Sequence, residues 1–138
     1  MRLTEGDARA RLSAVPVATL ATIGRDGNPH LVPITFAVEG DLIYTAVDHK
    51  PKTTPKLQRL RNIGQNPRVA LLVHHYSDDW QELWWVRVDG LASVAQRAED
   101  VRHPIDLLVG RYEQYRARRP DGPVITIHAD RWTGWSSS

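Results

Sequence analysis

The 138 residues carry 18 lysines and arginines against 16 aspartates and glutamates, a formal net charge of +2, with 41% hydrophobic residues and no cysteine. Such a balance fits a single domain over residues 1–138 and excludes a generally polybasic chain, so positive charge matters only where it is concentrated. The missing cysteines exclude disulfides, thiolate metal sites and a cysteine nucleophile. Charges run through "MRLTEGDARARLSAV", which therefore lacks the apolar core of a signal peptide, and no apolar run approaches the roughly 20 residues that cross a bilayer. The expectation is a cytoplasmic protein with no membrane partner.

In chain order the first element is a helix. Thr4 and Asp7 have capping-box spacing, Ala8, Leu12 and Val15 share a face, and Pro16 stops the run. Three β segments follow, "VATLATI", "HLVPITFAV" and "DLIYTAV", separated by turn signals at Asp26-Gly27 and Glu39-Gly40. They predict a three-strand meander. Pro33 cannot donate to a ladder, so an edge, a bulge or interrupted pairing is expected there, with a backbone group left free for a ligand.

The next stretch, "HKPKTTPKLQRLRNIGQNPRV", holds Lys50, Lys52, Lys56, Arg59, Arg61 and Arg68 and no carboxylate. Thr54 and Pro55 read as the cap and first position of a second helix, which Asn66-Pro67 ends. Leu57, Leu60 and Ile63 form its apolar stripe, with Arg59 and Arg61 on opposite flanks. Beyond it "RVALLVHHY" and "ELWWVRVDGLASV" read as strands joined by the polar loop "SDDWQ". A helix from Ala98 to Arg118 turns Ile105, Leu108, Val109 and Tyr112 inward, and "PVITIHADRW" is a last strand. Six strands with short turns and three helices predict a mainly β (α+β) fold, a small antiparallel barrel with peripheral helices.

A charge run is commonly a solvated face. Here no acid balances it, and the cations lie beside a helix start, where unpaired amides and the dipole favour an anion. The hydroxyls of Thr53 and Thr54 and the charges of Lys50, Lys52 and Lys56 would complete a phosphate or carboxylate pocket. Nucleic acid is a weaker candidate, because aromatics are not interleaved with the cations as base stacking requires.

Other residues carry less. His74, His75 and Tyr76 end one strand and His30 begins another; neighbouring strand positions face opposite ways and no third ligand is evident, so no metal site is expected. One of these can serve as a general acid, but no catalytic residue is assigned. Trp84 and Trp85 must face opposite sides of their strand, and Trp80, in a loop, is the candidate lid over a planar ring. Trp132 and Trp135 read as packing, and Arg111, Arg116, Arg118 and Arg119 as a solvated face of the late helix.

The ordered set "ATLATIGRDGNPHLVPITFAVEGDLIYTAVD", a basic helix ending in "NPRVALLV", and "WWVRVDGLASV" resembles the pyridoxamine 5′-phosphate oxidase-like split β-barrel flavoproteins from about Pro16 to Ala95. The closing "DRWTGW" resembles the actinobacterial branch that depends on the deazaflavin coenzyme F420. The resemblance implies a six-stranded split barrel, a homodimer with two cofactor sites at the subunit interface, and a small-molecule substrate. By position, Val32, Pro33, Ile34 and Thr35 match the strand that lines the flavin edge, and Tyr44 and Thr45 match the pair near the cofactor chain. The basic segment matches the phosphate grip. Leu57, Gln58 and Arg59 stand where the oxidases carry Ser-Arg-Lys, so either Arg59 or the inserted Lys50, Lys52 and Thr53 hold the phosphate. Trp85 replaces a glutamine that meets the flavin ring, and the C-terminal Arg-Leu and proline signature for pyridoxine phosphate is missing.

Those departures count against pyridoxamine phosphate oxidation. The implied cofactor is F420, with FMN as the alternative, and the implied activity is hydride transfer to a small unsaturated or quinone-like compound. A non-catalytic F420 carrier is the remaining alternative.

Overall fold

The Thr4 hydroxyl accepts from the Asp7 amide at 3.1 Å and starts α1, Glu5–Ala14, whose Ala8 and Leu12 are buried. In the computed structural model, which describes residues 1–47 and 57–138, seven strands follow: β1 Ala18–Ile23, β2 Pro29–Ile34, β3 Ala37–Glu39, β4 Leu42–Ala46, β5 Arg68–His75, β6 Trp84–Ala95 and β7 Val124–Ser136. Between them lie α2 Gln58–Gln65, α3 Ala98–Arg111 and α4 Glu113–Ala117. A short 3₁₀ turn, Trp80–Glu82, sits in the loop before β6.

The strands form one antiparallel sheet in the order β2-β1-β5-β6-β7-β4-β3. This corrects the expected meander and the count of six. "HLVPITFAV" is not one strand: its first half pairs with β1 and its second half with β4, at opposite edges of the sheet. The sheet is open, and its two edge strands are joined only through Thr35 and Phe36. The physical cause is a capture of the backbone at that point. Phe36 is fully buried; Tyr112 takes its amide at 3.1 Å, and Arg111 binds its carbonyl, so neither group enters a ladder. Pro33 lies on the edge strand, as a residue without a donor should.

Two more boundaries move. The second helix starts at Gln58 with Leu57 as its cap, not at Thr54-Pro55, and it lacks a side-chain cap bond. Thr54 itself, with Lys50, Lys52, Thr53 and Lys56, lies outside the described residues. The late helix breaks at Tyr112 into α3 and α4.

Alternation along the strands puts Leu20, Leu71, Val86, Val88, Ile125 and Ile127 on the inner face, where they are fully buried with Leu12 and Phe36. A second cluster packs Val101, Ile105 and Leu108 of α3 against Ala37, Tyr44, Ala46 and Val124. β6 bends between Asp89 and Gly90, where the register shifts. Only glycine fits there, since a Cβ on Gly90 would stand 2.3 Å from the His128 carbonyl oxygen. A buried polar chain anchors α2: the Asn62 amide donates to Thr22 Oγ1 at 3.0 Å, and the Gln58 amide donates to Asn62 Oδ1 at 2.7 Å. No helix among the described residues is long and apolar enough to cross a membrane.

Candidate functional site

The break between β2 and β3 opens a cleft of about 360 Å³. Its walls are the end of β2 (Pro33, Ile34, Thr35), the end of β4 (Thr45, Ala46), Arg59 from the first turn of α2, and the α3–α4 junction from Tyr112 to Tyr115. A strand that stops pairing leaves backbone groups and small side chains at its end. Two helices then close the sides with longer ones.

Arg59 is the unusual member. It is half-buried, its Nε is sealed from solvent without a hydrogen-bond partner, and burial pulls its pKa down. The nearby Tyr115 hydroxyl opposes that shift only in part. A guanidinium has five donors and no acceptor, so a site that strips its water without supplying an oxygen destabilises the empty protein. The complement of that defect is an anion. Leu57 gives α2 no side-chain cap, so the positive end of the helix dipole lies beside the guanidinium.

Opposite Arg59 stand two tyrosines with different duties. Tyr112 Oη accepts from the Phe36 amide at 3.1 Å and lies 2.7 Å from the Pro16 carbonyl and 3.1 Å from the Phe36 carbonyl, its possible acceptors. Burial raises its pKa. Among the described residues the Tyr115 hydroxyl bonds Thr35 Oγ1 alone, at 2.7 Å. Arg111 is spent on structure too: it donates to the carbonyls of Phe36, Ser13 and Val15 and lies over the Phe36 ring at 4.7 Å. This corrects its placement on a solvated face. Of the remaining arginines of that cluster, Arg119 pairs with Asp106 at 2.6 Å and Arg116 and Arg118 are exposed.

Pro33, Ile34, Thr35, Thr45 and Arg59 thus come together from three elements. Of the other expected site residues, Lys50, Lys52, Thr53, Thr54 and Lys56 lie outside the described residues, and Val32, Tyr44 and Trp80 do not line the cleft. Val32 points to the main core, and Tyr44 is buried against α3 with its hydroxyl donating to Glu39 at 3.1 Å. Trp80 is 69% exposed and does not line the cleft. His75 stacks on Trp84, Tyr76 is exposed, and neither they nor His30 and His74 border the cleft. Trp84 packs on the core while Trp85 faces out, as alternation requires. No cluster of three metal-ligating side chains occurs among the described residues. Sequence reasoning placed Tyr112 on a core face and passed over Tyr115. The available signal was two hydroxyls at i, i+3 in "RYEQY", each of which needs a partner once half-buried.

The fold is similar to several solved structures. A conserved hypothetical protein of Mycobacterium tuberculosis is 23% identical with a TM-score of 0.79, covering 98% of this chain and 86% of that one. An FAD-binding protein of Mesorhizobium loti is 20% identical, TM-score 0.72, covering 97% and 95%. The FAD-binding protein of Mycobacterium smegmatis is 16% identical, TM-score 0.64, covering 98% and 97%. No curated protein matches the chain. The family described as pyridoxamine 5′-phosphate oxidase matches residues 4–136, and the chain belongs to that family.

Proposed function

We propose that the chain is an F420-dependent oxidoreductase acting on a small unsaturated or quinone-like substrate. The observation that carries the reading is Arg59: a half-buried guanidinium, unsatisfied at Nε, at one end of a cleft sized for a planar ring. Bound there, the deazaflavin would supply a hydride donor or acceptor, which is why the cleft needs no nucleophile or paired carboxylates. The chain's own part is to hold and orient. Arg59 grips the phosphate, Pro33, Ile34 and Thr35 lie along the ring edge, and Thr45 borders the cofactor chain. The unbalanced cations from Lys50 to Arg68 favour F420, whose tail adds carboxylates to its phosphodiester.

FMN in the same cleft is the second reading, favoured by the two FAD-binding relatives. Parallel fluorescence titrations with F420 and FMN separate them: the proposal expects tighter F420 binding, and tighter FMN binding overturns the deazaflavin assignment. Tight F420 binding without turnover across enones and quinones would make the protein a carrier.

A second copy of the chain is the proposed partner. The outer face of the sheet carries Leu31, Leu72, Trp85 and Trp135, each at least 36% exposed. The strand register sets them on one side across β2, β5, β6 and β7. Pro33 belongs both to that side and to the cleft, so a copy seated there would border the cofactor. Light scattering is expected to give a dimer that Leu72→Glu dissociates; a monomeric wild type would refute it.

A further inference from the structure

The hydroxyls of Tyr115 and Thr35 share one hydrogen bond, and neither makes another among the described residues. Two hydroxyls bring two hydrogens, and the shared bond uses one. One O–H is therefore left over, in a half-buried position facing the cleft and within electrostatic reach of Arg59. Tyr112, three residues earlier, shows the contrast, since its hydroxyl has one backbone amide to accept from and two backbone carbonyls to donate to. Either hydroxyl can donate in the shared bond. A phenol is the stronger donor, so with a carbonyl acceptor in the cleft the Tyr115 O–H is the one best passed on to it, with Thr35 O–H turned to Tyr115 O and each bond polarising the next.

We propose that Tyr115 donates that hydrogen to a carbonyl oxygen on the ring edge of the bound cofactor, with Thr35 as the residue that positions it. The inference rests on the cofactor reading above and deepens it: the cleft has two poles, Arg59 for the anionic chain and Tyr115 for the neutral ring. It applies equally to a flavin and a deazaflavin, since both carry a pyrimidinedione edge. Tyr115 is held in place by packing: its ring is half-buried against the second cluster and meets the Tyr112 ring edge-on at 5.7 Å, which aims its hydroxyl at the cleft.

The test compares each intact coenzyme with its phosphate-free riboside. In calorimetric titrations, Tyr115→Phe is expected to weaken the riboside and the intact coenzyme by the same factor, about tenfold for one hydrogen bond. Arg59→Ala should weaken only the intact coenzyme. Thr35→Val should reproduce part of the Tyr115 loss, Thr35→Ser should restore it, and the Tyr115→Phe, Thr35→Val double variant should bind no more weakly than Tyr115→Phe alone. A Tyr115→Phe protein that binds the riboside like wild type, or more tightly, overturns the inference while leaving the cofactor reading standing. A wild-type protein that binds neither coenzyme removes both.

Discussion

Two arginines on neighbouring helices, Arg59 and Arg111, meet the same region of the chain under opposite conditions. Arg111 is satisfied by three backbone carbonyls and two aromatic faces, and with Tyr112 it fixes the turn where β2 ends and β3 begins. Arg59, partly stripped of water, has an Nε that bonds to nothing. The difference separates a corner built for stability from a cleft built for a ligand. A saturated cation holds a fold together, whereas an unsaturated one burdens the empty protein until an anion arrives.

The contrast is broken most severely at Arg111. Arg111→Ala removes the guanidinium that donates to the Phe36, Ser13 and Val15 carbonyls. Urea denaturation is expected to show a loss of about 3 kcal/mol, the scale of charge-assisted bonds to a partly buried site. Tyr112→Phe should cost about 1–2 kcal/mol in the same assay, because the Phe36 amide loses its acceptor. Arg59→Met should be neutral or stabilise the unliganded protein by up to about 1 kcal/mol, since an apolar side chain replaces an unsatisfied donor. A large loss there would place Arg59 with Arg111 and erase the distinction.

The smallest effect is expected away from both. The Glu39 carboxylate accepts from His103 at 2.8 Å, and His103, then the Tyr44 hydroxyl, hold its pKa below the ordinary 4.5. A carboxylate depressed in the folded state contributes stability that is present above its ordinary pKa and fades as pH falls through the lowered value. Glu39→Gln should therefore flatten a slight decline in stability on acidification below about pH 4.5, measured by denaturant titration at several pH values.

The sequence made local features legible because their causes are local. The Thr4 cap, the glycine turns and the alternation that buries Leu71, Val86 and Val88 each depend on residues within a few positions. The split of "HLVPITFAV" was hidden because apolar residues run through it almost without a break, while the groups that arrest it, Arg111 and Tyr112, come some 75 residues later. The same distance hid half the cleft. Ile34, Thr35 and Thr45 entered through the family resemblance, while Pro33 was also marked by its missing donor and Arg59 by the unbalanced cations; the cleft brings these five together. Tyr115 was passed over because a helix pattern shows which face turns inward, not which strand end that face will meet. Trp80 shows the converse: a loop tryptophan suits a lid by chemistry, yet its turn leaves it exposed and away from the cleft.

Thermal unfolding of wild type and Arg59→Met, each with and without saturating coenzyme, tests the central claim most directly. The account predicts that the empty variant melts at or above wild type and that coenzyme raises the wild-type midpoint by several degrees and the variant's by clearly less. An equal coenzyme-induced rise in both proteins would contradict it, because the anion would then be held by something other than Arg59.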